Sequence, residues 1–196
     1  MTSPDILVAL TPVIKALDQL SIQYYIGGSV ASSIYGMARA TMDVDIVADI
    51  GELHIPKLKQ LLHEQYYIDE DMIKEAIRTS SSFNLIHFET ALKIDIFIYN
   101  DEPHQRQAIE RKVKDKFDEQ GNLEYYFSAP EDIIIAKLQW YVKGNKVSER
   151  QWLDIIGVIK VQGENLDIDY LTSWSKKLGV YSLLKKAGLE GGLYIH

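Results

Sequence analysis

A chain of 196 residues with 46% hydrophobic and 25% charged residues can bury a core, and it spans one domain or one domain with a small satellite. A net charge of −7 gives no bulk attraction for nucleic acid or an anionic membrane, so a nucleic-acid substrate would need a local basic patch. The lack of cysteine excludes disulfides, thiolate zinc sites and cysteine nucleophiles. No apolar run reaches the roughly 18 residues of a membrane span. The start MTSPDILVAL has neither a basic opening nor a small-residue cleavage site, so a cytoplasmic location is the expectation.

In chain order, Ile6, Leu10, Val13, Ile14, Leu17 and Leu20 recur at helical spacing over 4–20, with Pro12 predicting a kink or restart. Tyr24 to Ile26 reads as a short strand ending at Gly27-Gly28. A short helix follows, with Ser29 as its expected N-cap and Gly36 as its stop. Met42 to Asp49 alternates as a strand, with Val44 and Ile46 on one face and Asp43 and Asp45 on the other. Leu58, Leu61 and Leu62 mark a helix between Pro56 and Tyr67. Residues 83–88 and 92–99 read as a hairpin whose second strand sends Ile94, Ile96 and Ile98 inward and Lys93 and Asp95 outward.

From Ser128 the pattern turns helical. Ser128 to Glu131 and Ser148 to Gln151 both read as capping boxes, and further helices are expected near 168–178 and 180–188. The expected fold class is α/β (α+β): a mixed-sheet core with flanking helices over 1–127, then a small helical part over 128–196.

The chemistry concentrates in GGSVASSIYGMARATMDVDIV, residues 27–47. Two glycines between strand and helix let a ligand approach the backbone, and the free amides of the helix start face an anion, with the Ser29 hydroxyl beside them. Such a junction also arises for structural reasons alone. Asp43 and Asp45 are two apart on a strand, so they share a face about 6.6 Å apart along the chain. Placed so, they can lean onto a pair of metal ions roughly 3.5–4 Å apart, or simply stand solvated. Asp95 repeats the pattern on a later strand. If the strands are neighbours, close carboxylates repel by about 3 kcal/mol per pair at an effective dielectric of 20. A hard divalent cation with oxygen ligands offsets that, and Mg²⁺ suits such a set better than zinc.

Gly-Gly-Ser, a short helix, Asp-x-Asp and a lone Asp on a later strand resemble the nucleotidyltransferase superfamily related to DNA polymerase β. Thirteen residues lie between Ser29 and Asp43, within that family's spacing. The stretches Ser-Ala-Pro-Glu-Asp…Ala-Lys-Leu and Arg-Gln-Trp-Leu-Asp-Ile look like the helical half of the abortive-infection type toxin subgroup. The resemblance implies that Gly28 and Ser29 hold the triphosphate of a nucleotide such as ATP. It implies that Asp43, Asp45 and Asp95 bind two Mg²⁺ ions (Mn²⁺ being an alternative), and that Asp95 receives the acceptor proton. The implied reaction is transfer of a nucleoside monophosphate to a hydroxyl of a tRNA end, a protein side chain or a small molecule, releasing pyrophosphate. As a toxin, such a protein would have an antitoxin-like neutralising partner.

Around this set, Arg39 and Thr41 precede the carboxylate strand; Arg39 can fork onto phosphate or pair with the acidic cluster. Lys137 occupies the apolar stripe of Ile133, Ile134, Leu138, Trp140 and Tyr141, so it either snorkels or reaches a triphosphate. Arg150 is a further phosphate-ligand candidate, or an i,i+4 surface partner of Asp154. His54, His63, His87, His104 and His196 show no metal spacing. Lys112, Lys114 and Lys116 share a strand face that reads as a lysine-blunted edge before it reads as an RNA contact. A nucleotide-holding regulator, or a degenerate partner protein without turnover, is the alternative function. A two-metal nuclease ranks last, because it does not need the Gly-Ser turn.

Overall fold

The computed structural model describes residues 3–117 and 123–195. Within these, the chain divides into two units: 1–30 with 40–127, and 31–39 with 128–196. The first holds a seven-stranded mixed sheet and the second is helical. No helix among the described residues is long and apolar enough to cross a membrane.

In the sheet unit, α1 (Ser3–Gln19) leads to β1 (Tyr24–Ile26), and α2 (Gly28–Tyr35) begins directly after it. The remaining strands are β2 (Asp43–Ala48), β3 (Tyr66–Tyr67), β4 (Ser82–His87), β5 (Lys93–Ile98), β6 (Val113–Lys116) and β7 (Glu124–Phe127). Their spatial order is β3-β4-β5-β2-β1-β7-β6. The central pair, β2 and β5, is parallel, and β1 runs antiparallel to β2.

Strand alternation decides the two faces. Val44, Ile46, Ala48, Ile94 and Ile96 are fully buried on one side. Helices close that side: α1 packs on α3 (Ile55–Leu62), α3 on α4 (Glu70–Thr79), and α4 on β4. The Tyr66 hydroxyl donates to the Ala9 carbonyl at 2.6 Å, tying β3 to α1 and satisfying a buried polar group. On the other side, α5 (Pro103–Arg111) packs Ala108 and Ile109 against Tyr25, Val47 and Tyr99. That covers the apolar end of the face that also carries Asp45 and Asp95.

α1 runs through Pro12 without restarting. A proline there leaves the Val8 carbonyl without its amide, and Val8 is 46% exposed, so water can serve that carbonyl. The helices α4 and α5 and the short β3 were not among the expected elements. Of the three lysines expected on one strand face, Lys112 is the C-cap of α5 and only Lys114 and Lys116 lie in β6.

The helical unit contains α6 (Pro130–Lys143), α7 (Glu149–Gln162), α8 (Ile168–Lys177) and α9 (Tyr181–Gly191). Packing runs α6 on α7, α7 on α9, α6 on α8 and α8 on α9. Residues 31–39 group with these helices. A Cβ on Gly36 would lie 2.7 Å from the Ser32 carbonyl and 2.8 Å from the Val158 amide, so only glycine lets the chain pass α7 that closely. Ser148 caps α7 as expected, accepting from the Gln151 amide. The box at Ser128 does not form. Pro130 starts the helix, which makes Ala129 the cap, and Glu131 instead accepts the Asp167 amide at 2.9 Å.

Candidate active site

The register of β2 and β5 sets the geometry. Asp43 is opposite Lys93, and Asp45 is opposite Asp95, on the same face. β4 continues the row by placing Asn84 opposite Asp95. β1 extends it on the other side, where the Gly27 amide donates to the Asp45 carbonyl at 2.8 Å. One row therefore reads Asn84, Asp95, Asp45, Gly27.

Gly28 turns the chain out of this row at a φ of +55°, in the left-handed region. A Cβ there would lie 1.7 Å from the Asp45 Oδ2. The turn and the carboxylate are thus in direct contact, and no other residue fits. α2 starts at Gly28, so Ser29 is its second residue and not its cap. The hydroxyl of Thr41 donates to the Asp43 carbonyl at 3.1 Å and fixes the chain as it enters β2.

The counter-charge that the close carboxylates require is present within the chain. Lys93 Nζ lies 2.6 Å from Asp95 Oδ2, with the lysine side chain 45% and the aspartate 19% exposed. Its hydrogen bond to Asp95, with further attraction from Asp95, Asp43 and Asp45, holds the Lys93 ammonium more firmly protonated than usual against partial desolvation. Strand alternation had placed Lys93 on the carboxylate face, but its pairing depends on the register.

These residues could hold a divalent cation. Asp45 and Asp95 are adjacent oxygen donors, Asp43 is two residues along the same strand face, and a cationic group already stands at Asp95. Among the described residues, no three acidic or histidine side chains are gathered into a ready cage. The histidines offer no alternative: His87 and His104 are buried, and His196 lies outside the described residues.

No protein-family model matches the sequence, and no curated protein matches it. Solved structures do. The antibiotic-resistance factor ANT(2'')-Ia superposes with a TM-score of 0.58 at 13% identity, over 94% of this chain and 97% of its own. An antigenic nucleotidyltransferase-like protein from Paracoccidioides brasiliensis superposes at 0.56 with 16% identity, over 95% and 94%. JHP933 from Helicobacter pylori superposes at 0.53 with 16% identity, over 98% and 90%. The chain has the nucleotidyltransferase fold.

Within that nucleotidyltransferase fold, Gly28, Ser29, Asp43, Asp45 and Asp95 belong to the sheet unit, with Thr41 at the entry to β2. Arg39, Lys137 and Arg150 belong to the helical unit. There Asp154, which the sequence reading treated only as a surface partner of Arg150, is the centre of a buried cluster. Arg39 forks onto it, Nε to Oδ1 at 2.8 Å and an Nη to Oδ2 at 3.0 Å. Lys137 donates to Asp154 Oδ2 at 2.8 Å and to the Gln151 amide oxygen at 3.3 Å. Lys137 is 4% exposed, so it does not snorkel. Burial alone would push the Asp154 carboxyl up, but the hydrogen bonds and charges of Arg39 and Lys137 outweigh it and hold it below its ordinary range. Arg150 is exposed in the first turn of α7.

The basic strand β6 is the sheet edge. Lys114 pairs with Glu124 at 2.7 Å, and Lys112 sits over the Tyr126 ring. Both contacts suit a blunted edge.

Proposed function

We propose that this protein is a Mg²⁺-dependent nucleotidyltransferase that moves a nucleoside monophosphate from a nucleoside triphosphate to an acceptor hydroxyl. The observation that carries this reading is the row in which Asp45 and Asp95 stand side by side with the Gly27-Gly28 turn closed against Asp45. Amides at the start of α2 and the Ser29 hydroxyl donate to phosphate oxygens. Asp43, Asp45 and Asp95 would hold the metal, which when bound would supply positive charge to the triphosphate and the acceptor oxygen. The acceptor oxygen attacks the α-phosphorus as its proton passes to Asp95. The bond from that phosphorus to the bridging oxygen breaks, and pyrophosphate leaves.

Arg150 is proposed as a further nucleotide ligand on its chemistry, and Arg39 and Lys137 with it only if they leave Asp154, since guanidinium and ammonium groups both suit phosphate oxygens. Thr41 is proposed with them through its place beside Asp43.

One solved structure of ANT(2'')-Ia, at a TM-score of 0.55 and 13% identity, is a complex with adenylyl-2''-tobramycin. This supports a small-molecule hydroxyl as one acceptor class; a tRNA end or a protein side chain are the others. Action as a toxin, with a neutralising partner, is the finer form of the same proposal. The test is incubation with α-labelled nucleoside triphosphates, Mg²⁺ and separate pools of small molecules, RNA and protein. Label should enter one pool with wild type and none with Asp95→Asn. A second reading, a nucleotide-holding protein without turnover, is favoured by the engagement of Asp95 with Lys93. It predicts nucleotide binding with no labelled product in any pool.

A further inference from the structure

Lys93, Asp43, Asp45 and Asp95 form a two-by-two block on adjacent parallel strands, with Asp43 beside Lys93 and Asp45 beside Asp95. Three carboxylates and one ammonium leave the block with two net negative charges. We propose that Lys93 is a built-in counter-ion of this face, and that a divalent cation binds by displacing its ammonium from Asp95. The inference rests on the metal-dependent reading above and assigns Lys93 a role as a positioning residue within it.

The two cations compete for Asp95 Oδ2. The Lys93 Nζ is 2.6 Å from Asp95 Oδ2, so a metal on the same oxygen would stand almost against the ammonium. The lysine can leave: its side chain is 45% exposed, and its flexible four-carbon stem can carry the charge into solvent. In the metal-free protein the ammonium keeps Asp95 from facing Asp45 uncompensated. An ordinary surface ion pair would lack this consequence, because neither partner would be required elsewhere.

The experiment is calorimetric titration of the full chain with Mn²⁺, alongside melting temperatures in EDTA. Wild type, Lys93→Met, Lys93→Arg and Asp95→Asn are compared. Lys93→Met should bind Mn²⁺ roughly three- to tenfold more tightly, since no ion pair must open. In EDTA it should melt below wild type, and Mn²⁺ should raise its melting temperature by more. Lys93→Arg keeps the charge, so it should behave as wild type in both measurements. Asp95→Asn should lose Mn²⁺ binding. Equal or weaker Mn²⁺ binding by Lys93→Met, with Asp95→Asn still losing it, overturns the role of Lys93 and leaves the metal reading standing. An unchanged melting temperature of Lys93→Met in EDTA also overturns that role. Absence of Mn²⁺ binding in wild type and Lys93→Met alike overturns the metal reading and the counter-ion with it.

Discussion

Substituting the two neighbouring glycines separately tests the contact between turn and carboxylate. Gly28→Ala places a methyl 1.7 Å from Asp45 Oδ2, 2.5 Å from its Cγ and 2.8 Å from its Cβ. Rotating the Asp45 side chain can relieve the contacts to Oδ2 and Cγ but not the one to Cβ, which is fixed to β2. The start of α2 or the strand must therefore shift, at about 1–3 kcal/mol for overpacking. The φ of +55° adds about 1–2 kcal/mol for any residue with a side chain. Gly28→Ala should then lose roughly 2–5 kcal/mol, a large part of a stability that is typically about 5–15 kcal/mol. Gly27→Ala is the matched control: its methyl would meet nothing nearer than Tyr25 Cε2 at 3.9 Å. That variant should stay within about 0.5 kcal/mol of wild type. Urea unfolding followed by far-UV circular dichroism, without metal or nucleotide, measures both. A Gly28→Ala loss no larger than that of Gly27→Ala would refute the close approach of the turn to Asp45.

In the helical unit, Asp154→Asn should cost about 3–5 kcal/mol, because it strands the buried Lys137 ammonium. Lys137→Met should cost less, since Arg39 still holds the carboxylate; equal losses would contradict this ordering. All three tryptophans (Trp140, Trp152 and Trp174) lie in this unit, so their fluorescence reports both unfolding transitions. The Asp154 carboxyl is depressed in the folded state, so its contribution is complete above the unfolded value near 3.9 and is lost as pH falls through the folded one. Tryptophan-detected stability of wild type should therefore drop in strong acid by more than that of Asp154→Asn; parallel acid profiles would rule the linkage out. If Lys137 contacts the triphosphate, Lys137→Met should weaken nucleotide binding by roughly ten- to a hundredfold, or about 1.5–3 kcal/mol. Calorimetry with and without the substitution decides, and unchanged affinity removes Lys137 from the nucleotide site.

Period-two alternation was enough to place Asp43, Asp45, Lys93 and Asp95 on one strand face, because successive strand side chains must point to opposite sides. The same local logic located α7 through the Ser148 cap, and it placed the β4–β5 hairpin. It could not set the register of β2 against β5, since pairing between distant segments depends on the whole sheet. Only that register makes Asp45 the neighbour of Asp95 and Asp43 the neighbour of Lys93. α4 was legible too, since Ile73, Ala76 and Ile77 recur at helical spacing behind the Asp69 cap, whereas α5 shows only Ala108 and Ile109 as apolar positions among polar residues. Asp154 was read as a surface partner of Arg150 because that pairing is visible within one helix. Its actual partners are Arg39, 115 residues away in sequence, and Lys137, 17 residues away. A buried carboxylate takes whichever cations tertiary packing brings to it, and no local pattern specifies those.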